Sequence, residues 1–163
     1  MTTYDFIVVG AGSAGCVLAN RLSEDPRNRV LLLEAGGRDL NPMIHIPLLC
    51  GVLYPSKMSN WFYSSEPDPN LNDREIFIPR GKTLGGSSSI NGMVYIRGHA
   101  RDYDIWRQSG CEGWSYDDVL PYFRRSEQHL DRVDDFHGED GELRVGRGTM
   151  ENPLFDAFVG AGQ

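Results

Sequence analysis

The first part of the chain alternates short apolar runs with a polar break at the spacing of a strand–helix–strand unit. Residues 5–9 form a run of strand length that no Pro or Gly interrupts, and every residue after Asp5 is β-branched or aromatic. Apolar residues then recur every three or four positions, which predicts a helix with one face against a sheet. Pro26 lies in the polar stretch that ends this helix, and residues 29–34 predict a second strand. We therefore predict a βαβ unit over residues 1–36.

The pattern becomes less regular after residue 34. Residues 35–60 contain several prolines between apolar residues, which predicts a long ordered excursion rather than a free loop. Further elements are predicted as strands over 61–64 and 75–78, which we expect to pair with each other, and as a strand over 142–145. Helices are predicted over 100–108, over 115–129 and from Pro153 onward. Ser115 and Asp118 have the spacing of a capping box at the start of the 115–129 helix, and Pro121 should bend or delimit its first turns. Asn152 precedes Pro153 as the N-cap of the last helix.

Three glycines stand between the first predicted strand and the first predicted helix. Gly10, Gly12 and Gly15 have the GxGxxG spacing of dinucleotide-binding units. In such units the first glycine turns the chain, the second lets the backbone approach a pyrophosphate, and the third lets the helix pack closely on the strand. Glu34 ends the second strand, where a carboxylate can accept hydrogen bonds from both hydroxyls of an adenosine ribose. An acid there favours FAD or NAD over NADP.

A second segment, residues 79–95, has an unusual composition. Gly85, Gly86, Ser87, Ser88 and Ser89 follow one another, so unshielded backbone N–H groups stand beside three hydroxyls. Such a segment can lie flat against a polar, planar ligand. A flexible Gly/Ser linker is the alternative, but apolar residues flank the run directly on both sides, which favours an ordered binding loop.

Composition and charge exclude several classes of protein. The chain is 40% hydrophobic and 24% charged, as globular proteins are, and its formal net charge of -7 argues against nucleic acid as a partner. No apolar stretch reaches membrane-spanning length and the N-terminus lacks a signal-peptide pattern, so we expect a cytoplasmic location, with peripheral membrane attachment left open. The three cysteines and four histidines show no disulfide framework or metal-ligand spacing, so we expect no metal.

Together, the two glycine-rich segments resemble the glucose-methanol-choline (GMC) flavoprotein oxidoreductases. The family's signature is matched at Gly81-Lys82, Leu84-Gly85-Gly86-Ser87-Ser88, Ile90-Asn91, Tyr95, Gly98 and Asp104. The similarity covers essentially the whole chain and looks closest to the bacterial choline dehydrogenase and alcohol dehydrogenase (acceptor) branch. It implies an α/β fold, a partial Rossmann-like FAD-binding fold with residues 79–104 contacting the flavin, and a substrate domain largely outside this chain.

The resemblance implies a set of cofactor contacts. Gly12, Ser13 and Ala14 would contact the FAD pyrophosphate, and Glu34 the adenosine ribose. Thr83 and Ser87 would line the FAD, and Asn91, Gly92, Met93 and Val94 would lie near the isoalloxazine. The position at which some relatives attach FAD through a His is Ile90 here, so we expect non-covalent FAD.

The reaction implied by the resemblance is oxidation of an alcohol to an aldehyde or ketone. Hydride would pass to flavin N5, and oxygen or a quinone-like molecule would accept the electrons. The family's catalytic His, with its His or Asn partner, lies far toward the C-terminus, so we expect no catalytic residue in this chain and little activity from it alone. Two alternatives stay open, a non-catalytic FAD-binding fragment and an NAD-dependent dehydrogenase.

Overall fold

The computed structural model describes residues 3–148 and 151–162. The chain divides into two compact units, the first ending at Val94 and the second beginning at Tyr95. Within the described residues, no helix is both long enough and apolar enough to cross a membrane. The first unit contains β1 (Phe6–Val9), α1 (Ser13–Ser23), β2 (Val30–Leu33), α2 (Cys50–Leu53), β3 (Tyr63–Ser64) and β4 (Phe77–Ile78).

The predicted βαβ unit is confirmed. β1 pairs in parallel with β2, in a register that runs from Phe6 opposite Val30 to Val9 opposite Leu33, and α1 packs against both strands. A Cβ added at Gly15 would lie only 1.9 Å from the carbonyl oxygen of Gly10, so α1 approaches the end of β1 as closely as glycine allows.

The predicted excursion after β2 is also ordered. It folds into 3₁₀ helices at Pro42–His45 and Pro47–Leu49, followed directly by α2, where Leu53 is buried. β3 and β4 then pair antiparallel, as predicted, with Tyr63 opposite Ile78. The Gly/Ser run forms a 3₁₀ helix at Gly86–Ser89, which confirms an ordered loop rather than a linker.

The second unit begins with two capped helices. It contains α3 (Ala100–Gln108), α4 (Tyr116–Ser126), β5 (Glu127–His129), β6 (Leu143–Val145) and α5 (Pro153–Ala161). The capping box of Ser115 with Asp118 is present at the start of α4, and Asn152 caps α5 as predicted. Pro121 lies inside α4, which continues past it.

One predicted boundary is wrong. We expected the fourth helix to reach His129, but α4 ends at Ser126 and the next three residues form β5, paired in parallel with β6. Long-range strand pairing at this position outweighs the local helical pattern.

Candidate functional site

The end of β1 and the start of α1 form a loop of exposed backbone. Gly10 has a positive φ of 94°, and its N–H donates to the carbonyl oxygen of Leu33 at 2.7 Å, so the turn is tied to β2. α1 begins directly after Gly12 and has no acidic residue in its first turn. The first N–H groups of a helix have no partner within it and carry partial positive charge. This end of α1, where Ser13 and Ala14 are exposed, therefore suits an anionic group.

Glu34 is held in place at the edge of this loop by backbone donors. Its Oε2 accepts a hydrogen bond from the N–H of Ala11 at 2.8 Å, and its Oε1 accepts one from the N–H of Gly36 at 2.8 Å. A carboxylate has about four lone-pair directions, so each oxygen keeps one for a further donor. The two backbone bonds orient the carboxylate and leave it able to accept from a ligand's hydroxyl groups.

The second glycine-rich segment lies against the first. The N–H of Gly85 donates to the carbonyl oxygen of Ala11 at 2.8 Å. A Cβ added at Gly86 would lie 2.9 Å from the Cα of Gly12, so the two loops touch backbone to backbone. The two motifs, which are separated by about 70 residues of sequence, therefore form one site.

A cavity of about 670 Å³ opens where these segments meet. This volume is in the range of small-molecule and cofactor sites. The cavity is lined by Val9, Gly10, Gly12, Leu33, Glu34, Ala35, Trp61, Tyr63, Arg80, Gly81, Gly86 and Ser87. Four glycines, one carboxylate, one guanidinium and two aromatic rings thus surround the same space.

The cavity residues are chemically suited to a dinucleotide. The glycine backbone leaves room for a pyrophosphate, and Arg80 supplies a positive charge. Glu34 would repel phosphate but can accept from ribose hydroxyls. The rings of Trp61 and Tyr63 stack with their centroids 5.8 Å apart and an interplanar angle of 8°, which offers flat apolar surface to a heterocycle.

The residues predicted from the sequence differ in where the structure places them. Gly10, Gly12, Glu34 and Ser87 line the cavity, and the Oγ of Ser87 accepts from the N–H of Gly81 at 3.1 Å. Gly15 is buried against the end of β1 and acts through packing.

Thr83 and the following segment lie elsewhere. Thr83 is 2% exposed and is not among the residues that line the cavity. Its hydroxyl donates to the carbonyl oxygen of Gly37 at 3.1 Å, so it joins two loops. Asn91, Gly92, Met93 and Val94 are exposed and are not among the residues that line the cavity. Met93 has a positive φ of 57°, and its N–H donates to the Oδ1 of Asn91 at 2.9 Å. Their contact with a flavin remains a prediction.

Sequence reasoning missed the aromatic and basic part of the cavity. Trp61, Tyr63 and Arg80 line it, and the Nζ of Lys82 lies 4.4 Å from the centroid of the Trp61 ring. These residues could have been found from the predicted pairing of strands 61–64 and 75–78. That pairing brings Trp61 close to the basic residues that follow the second strand.

A second cluster of ionisable groups lies in the second unit. Ligand atoms of Glu127, His129 and His137 lie within 4.8 Å of one another, although the sequence showed no ligand spacing. Glu127 is fully buried and accepts from the guanidinium of Arg97, the N–H of Gly138 at 2.9 Å and the Nδ1 of His137 at 3.1 Å. A guanidinium beside the carboxylate opposes binding of a metal cation, so we interpret the cluster as a buried ion-pair network.

This network determines how Glu127 titrates. Burial alone would raise the pKa of Glu127, but the N–H of Gly138, His137 and Arg97 favour the ionised form, and the pKa is lowered. For Arg97, burial opposes the charge while Tyr95 and Glu127 favour it, and the pKa is raised. Both groups are therefore charged in the folded protein at neutral pH.

Comparison with known proteins gives one consistent result. The sequence profile of the GMC oxidoreductase family matches residues 4–163. The chain is 56% identical over 161 residues to an oxygen-dependent choline dehydrogenase of Sinorhizobium fredii and 56% identical over 161 residues to an alcohol dehydrogenase [acceptor] of Pseudomonas putida. Both alignments cover 98% of this chain and 29% of the relative, so the chain spans less than a third of the length of these proteins.

A solved structure with the same arrangement is also found. The crystal structure of pyridoxine 4-oxidase from Mesorbium loti superposes with a TM-score of 0.90 at 39% identity. The match covers 98% of this chain and 32% of that protein.

Proposed function

Because the chain belongs to the GMC oxidoreductase family, we propose that it supplies the FAD-binding part of an enzyme that oxidises an alcohol to an aldehyde or ketone. The observation that carries this proposal is the cavity in which Glu34, the backbone of Gly10 and Gly12, and the second glycine-rich loop converge. The site holds the chemical groups that a dinucleotide needs. Relatives named choline dehydrogenase and alcohol dehydrogenase support an alcohol as the substrate class.

The residues of this chain would bind and orient the cofactor. The N-terminus of α1, with Gly12, Ser13 and Ala14, would hold the pyrophosphate, and Glu34 would accept from the adenosine ribose. Ser87 would contact the cofactor from the second loop, and residues 91–94 would lie beside its flavin end. Bound FAD supplies a hydride acceptor for alcohol oxidation. With Ile90 at the position used for covalent attachment in some relatives, the FAD would be non-covalent.

The partners we propose are small molecules. An alcohol would be the electron donor, and oxygen or a quinone-like compound the acceptor. Both relatives named above are consistent with a separate acceptor, one by the words "oxygen-dependent" and the other by "acceptor". A cytoplasmic location remains a prediction from the sequence.

The direct test is a spectrum and a titration on the full-length protein that contains this chain. The proposal expects about one FAD per chain, released intact by denaturation, and bleaching of its absorbance by an alcohol under nitrogen. A panel of choline and simple primary alcohols with an artificial acceptor then identifies the donor. Protein that carries no flavin, or that binds NAD instead, contradicts the proposal. Flavin that binds but is never reduced by any alcohol favours the non-catalytic alternative.

A further inference from the structure

Asn60 is a buried residue that directly precedes Trp61, an aromatic residue of the cavity lining. The residue is 4% exposed and does not itself line the cavity. Its Nδ2 donates to the carbonyl oxygen of Tyr54 at 2.9 Å. Its Oδ1 accepts from the N–H of Phe62 at 3.0 Å and from the N–H of Arg80 at 3.0 Å. One amide therefore satisfies three backbone groups from three separate segments, and only one orientation of the amide can do so.

The contact with Phe62 occurs where the backbone is strained. Phe62 has a positive φ of 63°, a left-handed conformation that is a genuine outlier for a bulky residue. A hydrogen bond that the Oδ1 of an Asn accepts from the N–H two residues later is a common way to stabilise such a turn. Asn60 thus compensates the conformation that Phe62 adopts.

Phe62 lies between the two aromatic residues that line the cavity. The dihedral angles of Phe62 determine how the peptide units of Trp61 and Tyr63 are oriented, and in this conformation their rings are nearly parallel. The same Oδ1 that fixes Phe62 also holds the N–H of Arg80. The carbonyl oxygen of Arg80 in turn accepts from the N–H of Trp61 at 2.9 Å. Both aromatic residues and the guanidinium-bearing residue of the cavity therefore depend on this one amide.

We propose that Asn60 is a positioning residue for cofactor binding: it holds Phe62 left-handed and so presents Trp61, Tyr63 and Arg80 to the dinucleotide. The inference rests on the proposed function, because the ligand is the FAD proposed above. Asn60 is not among the residues that line the cavity, so it would not contact the dinucleotide itself. Its effect on affinity passes through the backbone of the residues that line the cavity.

The test compares FAD dissociation constants among variants of the full-length protein, measured by flavin fluorescence after removal and re-addition of FAD. Asn60→Ala should weaken FAD binding roughly tenfold or more, since misplaced contacts are costly. Combining Asn60→Ala with Phe62→Gly should restore part of the affinity, because glycine adopts a positive φ without help. Combining Asn60→Ala with Phe62→Ala should not, because alanine also removes the ring but keeps the Cβ that disfavours this conformation.

The specific readout is the ratio of the FAD dissociation constants of the two double variants. We expect the glycine variant to bind FAD about 5- to 30-fold more tightly than the alanine variant, from the left-handed penalty of a residue with a Cβ. A purely structural role of Asn60 predicts equal affinities for the two. Asn70→Ala is the matched control, because Asn70 is exposed, contacts Asp68 and should leave FAD affinity unchanged.

A second pair of variants tests the inference even if Asn60→Ala does not fold. With Asn60 intact, Phe62→Val should bind FAD more weakly than Phe62→Gly, because a β-branched residue resists positive φ. Equal affinity in this pair, or wild-type affinity in folded Asn60→Ala, overturns the inference. Wild-type protein that binds no FAD overturns the proposed function as well, which separates the two failures.

Discussion

Glu34 and Ala11, which are 23 residues apart in the chain, are joined by a hydrogen bond of 2.8 Å from the backbone N–H of Ala11 to Oε2 of Glu34. This bond ties the end of β2 to the glycine loop after β1. The carboxylate proposed to recognise the ribose is therefore fixed to the same loop that is proposed to hold the pyrophosphate. The two ends of an adenosine diphosphate would meet a single rigid unit.

Glu34→Gln should weaken FAD binding by roughly 10- to 100-fold, because a hydrogen bond to a charged group contributes about 1.5–3 kcal/mol. The amide keeps the size of the side chain but only one acceptor oxygen, so its NH2 group would face the N–H of Ala11 or of Gly36. We therefore expect a loss of stability as well, smaller than the loss of binding free energy. Fluorescence titration with FAD gives the affinity, and thermal unfolding without FAD gives the stability. A loss of stability as large as the loss of affinity would show that Glu34 acts only within the fold.

Three glycine variants should separate packing from ligand contact. Gly15→Ala places a Cβ 1.9 Å from the carbonyl oxygen of Gly10 and should destabilise the protein by about 1–3 kcal/mol or more. Gly12→Ala meets nothing within 4 Å, so the fold should persist while FAD binding falls roughly tenfold or more. Gly37→Ala, which also meets nothing within 4 Å, is the control and should change neither property. Denaturant unfolding measures the stability of all three variants, and FAD titration measures their affinity. A Gly12→Ala variant that is destabilised would count against a role of Gly12 in ligand contact.

Arg97→Met should destabilise the protein by about 3–5 kcal/mol, because it leaves the carboxylate of Glu127 buried without its guanidinium. Adding Glu127→Leu to Arg97→Met should recover part of this loss, because both charges are then removed. The recovery should be incomplete, because the N–H of Gly138 loses its acceptor. Arg27→Met breaks an exposed ion pair with Asp25 and should have little effect. Urea unfolding at neutral pH measures each change. If the double variant were as unstable as Arg97→Met, the charge pair would not be the cause.

Stability should fall in acid partly through Glu127. Its pKa is lowered in the folded state, so the unfolded chain binds the proton more readily. The contribution is fully present above the unfolded pKa of about 4.3 and is lost as the pH falls through the lower folded pKa. The difference in unfolding free energy between wild type and Glu127→Gln should therefore shrink below about pH 4.3. Asp118 and Asp134 also have lowered pKa values, so the difference between the two proteins, not the wild-type curve alone, is the measurement.

Much of the fold was predictable because its signals are local. The strand, glycine turn and helix that begin the chain follow from residues close in sequence, and the caps at Ser115 and Asn152 each involve a span of only a few residues. The end of α4 was not predictable in this way. β5 exists because Glu127–His129 pairs with Leu143–Val145, and nothing near residue 127 encodes that distant partner.

The residues of the candidate site likewise divide into those predictable from local sequence and those that are not. The glycines and Glu34 were predictable because their spacing is itself the motif. The aromatic part of the cavity depends on the left-handed Phe62 and on the buried amide of Asn60. The pattern of apolar residues along the sequence does not predict the φ angle of one residue, so this part could not be predicted. The cluster around Glu127 likewise appears only after β5 and β6 pair.

The buried carboxylate of Glu127 also discriminates between alternative pairings of the chain. Successive side chains of a strand point to opposite faces, so a slip of β5 by one residue against β6 would turn this carboxylate away from Arg97 and the N–H of Gly138. A misaligned chain would bury an unpaired guanidinium and leave a backbone donor unsatisfied. We therefore expect the charge pair to penalise this misaligned pairing of β5 and β6, in addition to its contribution in the native state.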